Sequence, residues 1–434
     1  MNITLRNLLA STLSTGGPGP AMTVRTAKHG ERVGILGYGA MRLPTVDGGN
    51  GAGRAGKPVE GASQADIDQA AVNEHVDYAL AHGVNYFDTS PAYCMGKSER
   101  VLGAALSRHP RDSYFIATKM SNFSPEQYSF EASKAIFEKS LEYLRTDYID
   151  FYLLHAVGMG GFEAFSKRYV ENGIIPWLLE QKAKGRIRNL GWSFHGDPKA
   201  IEWLLQKHDS GEYVWDFAQI QMNYVDWRHA QENNKRNIDA ERLYEELEKR
   251  QIPAVIMEPL LGGRLARYND ALMGELARLD PEATQASWAF RFCGTYPNVL
   301  TILSGMTYKE NLVDNIATFS PLKPLTSVEL AVLERAALAY IATGAIPCNN
   351  CNYCMPCPYG LDIPGIFSFI NRVKSAGMKD PGEILREYEK AIPDPRRRAD
   401  RCIGCGLCAT HCPVPIRIPR ELDSVAAYME GLKK

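Results

Sequence analysis

The 434-residue chain contains no run of eighteen apolar residues, which excludes a membrane-spanning helix on the strength of its sequence. Its formal net charge is −1, so it carries no field that would draw nucleic acid or a membrane surface. The opening segment, MNITLRNLLASTLSTGGPGPAMT, has an apolar patch too short and too polar for a signal peptide. It reads as part of a flexible leader over residues 1–29, with Met22 an alternative start. No GxGxxG turn joins a strand-like run to a helix, and apart from the cysteine pattern there is no internal repeat or low-complexity block. What remains is a globular protein of two or three domains, 45% hydrophobic and able to build a large core.

Cysteine is sparse as far as residue 345 and dense after it. Eight of the ten cysteines fall in two runs, CNNCNYCMPCP and CIGCGLCATHCP. Cys348, Cys351, Cys354 and Cys357 are spaced by three; Cys402, Cys405 and Cys408 likewise, with Cys412 after a longer step. Such spacing suits [4Fe–4S] clusters, where the first three thiolates of a run hold one cluster and the fourth ligates the other. On that pattern Cys348, Cys351, Cys354 and Cys412 hold one cluster, and Cys402, Cys405, Cys408 and Cys357 the second. Zinc prefers separated cysteine pairs or cysteine with histidine. Disulfides need an oxidising compartment, which these crowded thiols do not suit; the expected setting is an anaerobic or microaerobic cytoplasm. The fourth cysteine of the first run follows after two residues where the bacterial pattern has three, which leaves a single-cluster domain as an alternative.

From about Arg32 to Asn315, β-branched runs alternate with helical stretches: RVGILGYGAM, GVNYFDTS, SYFIATK, YIDFYLLHA, IRNLGWSF, FAQIQMNY, PAVIMEP and VLTILSGM. Strands separated by helices imply a parallel sheet. Eight such units fit an α/β fold of the (β/α)8 TIM-barrel type, whose site lies at the C-terminal ends of the strands. An open doubly wound sheet is the alternative. The expected organisation is a barrel over residues 30–320, a helical connector over 321–344, and a small α-helical, ferredoxin-like iron–sulfur domain over 345–434.

Polar residues at the ends of the early strands form a proton-transfer set. Asp88 ends the second run, with Tyr93 five residues on; Lys119 ends the third and His155 the fourth, so that in a barrel all four face one mouth. A phenol titrates at about 10 and becomes a useful acid at neutral pH only beside a cation, which Lys119 would supply. Asp88 would pair and orient that ammonium, and His155 would hydrogen-bond a carbonyl oxygen. Singly, each has an ordinary reading: strand-end cap, loop aromatic, rim ion pair, core histidine.

Taken together, the segments ILGYGAMRLP, GVNYFDTSPAYCMGKSERVLGAAL, FIATKM, DYIDFYLLHAV and IRNLGWSFHG resemble an aldo-keto reductase. The resemblance implies a catalytic tetrad of Asp88, Tyr93, Lys119 and His155, with Tyr93 protonating a carbonyl as hydride arrives from NAD(P)H. Barrel and double cysteine run together are similar to the iron–sulfur-containing branch of that family. For the cofactor, the resemblance implies a nicotinamide amide held by Ser193 and Gln219, although Phe194 stands where ordinary members carry asparagine. Met257 replaces an aromatic platform and can still pack on a ring. In EPLLGGRL, Pro259, Leu260, Gly262 and Gly263 would approach a diphosphate, with Arg264 as charge partner. Glu258 would repel an anion there unless Arg264 or Arg42 compensates. Gly305 and Asn311 stand where members specific for a 2′-phosphate carry Lys and Arg, while Lys309 and Asn315 would hold adenosine or simply begin a solvated helix.

Hydride moves two electrons and a cluster one. FMN, which converts between them, is therefore the alternative barrel cofactor. A ferredoxin or flavodoxin is the alternative electron source, docking on Arg396, Arg397, Arg398 and Arg401 unless these form an ordinary solvated loop. A third reading makes the chain a non-catalytic redox-sensing or docking subunit, against which the complete tetrad stands. Cys94 and Cys293 read as core, and His195 as site wall or local cap. Trp192, Tyr224 and Trp227 read as a substrate wall or as barrel packing. Loops 45–64 and 157–176 are the expected determinants of the small-molecule carbonyl substrate.

Overall fold

The computed structural model describes residues 21–52, 66–266 and 270–433. The leader up to residue 20 and the glycine-rich loop beyond residue 52 lie outside them. The run RVGILGYGAM, expected as one strand, divides in two. Arg32–Gly34 (β2) pairs antiparallel with Val24–Thr26 (β1), and Leu36–Gly39 (β3) enters the main sheet. At Gly34 the chain passes close to a neighbouring turn, where a Cβ would lie 2.3 Å from the Gly83 carbonyl oxygen. The expected leader of residues 1–29 is thus corrected at its C-terminal end. Thr23 donates its N–H to the Phe319 carbonyl at 2.9 Å, and Arg25 donates to the carbonyls of Gly294 and Pro297, fastening this hairpin to the closed end of the barrel.

The remaining strands are Tyr86–Asp88 (β4), Phe115–Met120 (β5), Ile149–Val157 (β6), Ile187–Phe194 (β7), Phe217–Gln221 (β8), Ala254–Met257 (β9) and Val299–Ser304 (β10). With β3 they form a closed parallel barrel, sealed where Ile302 and Ser304 pair with Leu36 and Tyr38. Helices cover each strand from outside, among them Gln69–Ala81, Ser98–Leu106, Phe130–Leu144 and Pro198–Asp209. Every residue of β6 is buried, because lumen and helices occupy its two faces. Tyr86, Ala117, Phe151, Phe217 and Val255 fill the lumen, with the Phe151 and Phe217 rings edge to face at 5.1 Å. The open end of the barrel is thereby left to polar side chains at the strand ends.

The connector helix Ser327–Ala342 begins at a reciprocal capping box between Thr326 and Glu329. It packs Val332, Leu333, Ala336 and Tyr340 into the outer barrel core. The C-terminal module has its own core, built by Ile366, Phe367, Ile384, Tyr388, Leu422 and Val425 from helices Ile363–Ala376, Pro381–Ala391 and Ile418–Gly431. No described helix is long and apolar enough to cross a membrane.

One buried acid gives the barrel a pH dependence. Glu99 lies in the first turn of Ser98–Leu106 and accepts the Thr118 hydroxyl at 2.6 Å. Burial pushes its carboxyl from 4.5 up to about 7, against the hydrogen bonds of Thr118 and Ser140. The folded protein keeps a proton that the unfolded chain loses. The contribution is complete below pH 4.5 and disappears as pH rises through about 7. Glu99→Gln, which cannot ionise, is expected to flatten the loss of stability between about pH 5 and 7.5 by roughly 1–3 kcal/mol, read by denaturant unfolding. An unchanged pH slope would contradict this.

Candidate active site

Asp88 closes β4, Lys119 lies near the end of β5 and His155 near the end of β6, so three neighbouring strands deliver them to one mouth. Tyr93 follows in a tight turn, Tyr93–Gly96, where Cys94 and Met95 adopt left-handed φ values of 49° and 56°. Such a conformation costs a non-glycine residue about 1 kcal/mol or more and persists only where packing enforces it. The enforcement is visible. Cys94 is fully buried, its thiol against the Ala40 and Met41 carbonyls at 3.5 and 3.6 Å, and Ser90 Oγ accepts from the Ala92 N–H at 3.1 Å. Cys94 is therefore part of the turn's support and not of the cavity surface. Cys293 is likewise core, with its thiol on the Met222 carbonyl at 3.3 Å.

Lys119 donates to Asp88 Oδ1 at 2.6 Å, to Asp88 Oδ2 at 2.7 Å and to the Thr89 carbonyl at 2.8 Å, so all three ammonium protons are engaged. Its nitrogen stands 4.7 Å from the centre of the Tyr93 ring. Burial raises the Asp88 carboxyl and lowers the Lys119 ammonium, while their mutual attraction opposes both shifts. The expectation that Lys119 would bring the Tyr93 phenol down is corrected: burial first, and the Asp88 charge second, hold it well above its usual value. The resting phenol keeps its proton, as a donor should. His155 is held by Ser121 Oγ at 2.6 Å from its Nδ1, with Ser90 Oγ 2.8 Å from that hydroxyl. Burial, reinforced by Lys119, keeps its imidazole well below its normal value and hence neutral. Arg168, also buried, donates to the His155 carbonyl at 2.6 Å.

One cavity of about 790 Å³ occupies the mouth, within the ordinary range of ligand sites. Asp88, Tyr93, His155, Gln219, Met257 and Glu258 line its barrel side, and Cys348, Asn349, Cys351 and Tyr353 of the C-terminal module line the other. His195 joins the wall, its imidazole pushed down to about 4 by burial. Trp192, Tyr224 and Trp227 instead pack into the outer core. The apolar wall comes from Met41, Phe123, Met159 and Leu303, which carried no sequence signal beyond lying near strand ends. Met159 and Asn50 do come from the two loops expected to shape the substrate site.

A second, smaller cavity is ringed by Cys348, Cys351, Cys354 and Cys412 inside a cage of Ile363, Phe367, Val414, Ile416 and Ile418. The other four thiols also gather: Cys357, Cys402 and Cys405 act together on Cys408, whose thiol burial pushes up to about 11. Among the described residues no three His, Cys, Asp or Glu side chains converge on one point as ligands of a single ion would. Cys348, Cys351, Cys354 and Cys412 instead surround a small cavity. Cys405 is exposed, beside Ile403 and Leu407 at 60% and 51% exposure. The arginine run near it is not a free basic patch, since Arg396 pairs with Asp394 (2.9 Å), Arg397 with Asp362 (3.4 Å), Arg398 with Glu389 (3.9 Å) and Arg401 with Asp400 (3.5 Å).

Residues 36–337 match the model of the aldo/keto reductase family, well over half of the chain. The chain belongs to that family. Residues 347–416 match a 4Fe-4S dicluster domain, so the chain joins an aldo/keto reductase barrel to an iron–sulfur module. D-arabinose 1-dehydrogenase of Saccharomyces cerevisiae is 37% identical to it over 138 residues, 30% of this chain and 38% of that protein. L-galactose dehydrogenase of Arabidopsis thaliana is 32% identical over 166 residues, 37% of this chain and 45% of that protein. The chain thus spans less than half the length of these two relatives. The NADH-specific methylglyoxal reductase of Escherichia coli is 26% identical over 294 residues, 59% of this chain and 84% of that enzyme. An aldo-keto reductase structure from Bacillus halodurans shares the fold at a TM-score of 0.54 and 22% identity, covering 72% of this chain and 96% of that one.

Membership of the family implies NAD(P)H, and the residues expected to hold it are only partly available. Gln219 fits: it is 2% exposed, lines the cavity, and its Oε1 has no partner among the described residues. Ser193 is a correction, because its hydroxyl accepts the Ala156 N–H at 2.9 Å within the barrel wall and does not line the cavity. Asn315 is buried, donating to Ser304 Oγ at 3.0 Å, and Lys309 is paired with Glu74. Asn315 nonetheless lines the cavity, as do Met257, Gly305, Asn311 and the whole of Pro259–Arg264 except Leu261, with the Arg42 chain against Gly305, where a Cβ would meet Cδ at 3.1 Å.

The buried pair is expected to behave as a unit. Lys119→Met leaves the Asp88 carboxylate without its cation and should cost about 3–5 kcal/mol, whereas Asp88→Asn with Lys119→Met together should cost markedly less. A thermal or urea double-mutant cycle measures this, and additive losses would contradict the coupling.

Proposed function

We propose that this chain interconverts a small-molecule carbonyl compound and its alcohol at the barrel mouth, with Tyr93 handling the hydroxyl proton and two [4Fe–4S] clusters carrying electrons. The carrying observation is the shared cavity, with Tyr93 and His155 on one wall and Cys348 and Cys351 on the other. Reduction adds a hydride to the carbonyl carbon and a proton to its oxygen; a reduced flavin ring in the barrel, recharged by two electrons from the clusters and a proton from solvent, would supply the hydride. Tyr93 gives the proton that goes to oxygen. As the phenol becomes anionic, Lys119, at 4.7 Å from its ring, offsets the charge. Asp88 holds that ammonium in place. His155, neutral and fixed by Ser121, turns its other nitrogen to the carbonyl oxygen and orients it.

Clusters in such sites pass electrons one at a time. Cys348, Cys351, Cys354 and Cys412 would hold the one nearer the barrel, where the cage of Ile363, Phe367 and Val414 keeps water from it. Cys357, Cys402, Cys405 and Cys408 would hold the outer one. The outer group's exposed Cys405, flanked by Ile403 and Leu407, is where a ferredoxin or flavodoxin would dock. The substrate we favour is a polyhydroxylated aldehyde or ketone. The buried Gln219 Oε1 and Glu258 Oε2, both without partners among the described residues, call for a ligand rich in donors, and two relatives are named for sugars.

Tyr93→Phe, prepared anaerobically and assayed on polyhydroxy aldehydes with a reduced viologen donor, is expected to lose about 10²–10⁴ in turnover. Its iron and sulfide content should stay at the parent level. Undiminished turnover in this variant would refute the role of Tyr93.

A further inference from the structure

A dinucleotide in this family would lay its diphosphate along Pro259–Arg264. The segment has the necessary turn, with left-handed φ at Leu261 (48°), Gly262 (67°) and Gly263 (92°). Three of its donors, however, are already in use. The N–H of Leu261 donates to the Glu258 carbonyl at 3.1 Å, that of Gly263 to Leu260 at 2.9 Å and that of Arg264 to Leu261 at 3.3 Å. Three of the four amides from Leu261 to Arg264 are thus engaged within the turn itself.

The space above Gly262 is filled as well, while Leu260 and Gly263 face the mouth cavity. A Cβ on Gly262 would stand 2.5 Å from the Asn349 carbonyl oxygen and 2.7 Å from its Cα, so the backbone of the first cysteine run lies directly on this glycine. The two cations that should serve a diphosphate hold the same run. Arg42 donates to the Asn349 carbonyl at 2.6 Å and to the Asn350 carbonyl at 2.7 Å. Arg264 donates to Asn349 Oδ1 at 3.2 Å, to the Leu261 carbonyl at 2.9 Å and to the Tyr340 hydroxyl. By contrast the ring end of the site is open, with Gln219 Oε1 awaiting a donor.

We infer that Asn349 and Asn350 have taken the place of the diphosphate, so that the barrel binds a ligand of mononucleotide size or smaller, with no adenylate arm, and Arg42 and Arg264 position the cysteine run. The residues present do not fit an extended NAD(P)H. They fit a ligand whose ring lies between Tyr93, Gln219 and Met257 on the cavity wall and which carries no adenylate. The role given to Arg42 rests on the proposed reading of Cys348 and Cys351 as cluster ligands; the exclusion of the adenylate arm does not.

Calorimetric titration of anaerobically isolated holoprotein with NADH and NADPH tests this. The expected result is no saturable binding below about 1 mM, the weak end of ordinary Michaelis constants. Amide exchange over 259–264 and 349–351 should be slow without nucleotide and unchanged by it. In Arg42→Ala the titration should stay flat while the reduced-cluster EPR spectrum shifts, and Arg42→Lys, which cannot bridge two carbonyls, should shift it too. Micromolar binding of either nucleotide, weakened tenfold or more by Arg42→Ala and restored by Arg42→Lys, would overturn the inference. Should the variants not fold, titration and exchange of the parent protein decide alone. Protein without iron but with a flat titration would refute the cluster reading and keep the exclusion; iron with micromolar nucleotide would do the reverse.

Discussion

The guanidinium of Arg42 bridges the carbonyls of Asn349 and Asn350, and most of what is distinctive in the molecule depends on that contact. Arg42 ends a short helical turn directly after β3, and its own carbonyl is held by the Thr307 hydroxyl at 2.7 Å, beyond β10. Gly305 lets the arginine chain pass, and Arg264 secures Asn349 from the opposite side. Strand ends from three parts of the barrel thereby converge on the residues between Cys348 and Cys351. A lysine could make one of these hydrogen bonds in fixed geometry; the planar fork makes both. The module has its own hydrophobic core, so contacts such as this one, with Arg264 on Asn349 and Asn352 on the Ala52 carbonyl, set where it sits on the barrel.

On the proposed reading, the barrel side would handle protons, with a phenol that burial keeps protonated, a neutral imidazole and an ammonium whose every proton is engaged. The thiols occupy the opposite wall, inside an apolar cage. Glu258 sits between these regions, its carboxyl raised by burial against the pull of Arg42 and Arg264. Its conflict with an anionic cofactor, apparent from sequence, is consistent with a seat that no longer takes a diphosphate.

Much of the barrel was legible in the sequence because alternating strand and helix runs with polar strand ends leave a periodic signal. The positions of Asp88, Tyr93, Lys119 and His155 followed from that signal, and the grouping of the cysteines from their spacing. The break after Gly34 was not legible, since the close pass of Gly83 involves only backbone. Nor were the partners of Arg42 and Arg264, whose acceptors include main-chain carbonyls contributed by a distant part of the chain. Ser193 looked available for a ligand because its donor, the Ala156 N–H, is freed by an irregular, left-handed backbone (φ 55°) near the end of β6. The arginines around residue 397 looked like a patch because their acids, Asp362 and Glu389 among them, lie on other turns of the module.

Iron anomalous diffraction from anaerobically grown crystals tests the central claim most directly, that an iron–sulfur group lies beside the barrel mouth with its Asn349–Asn350 backbone where a diphosphate would be. The account predicts two groups of iron, the nearer one bound by Cys348, Cys351, Cys354 and Cys412 beside Asn349 and facing the cavity of Tyr93. Iron confined to Cys402, Cys405, Cys408 and Cys412, or a first cysteine run lifted away from Gly262, would contradict it.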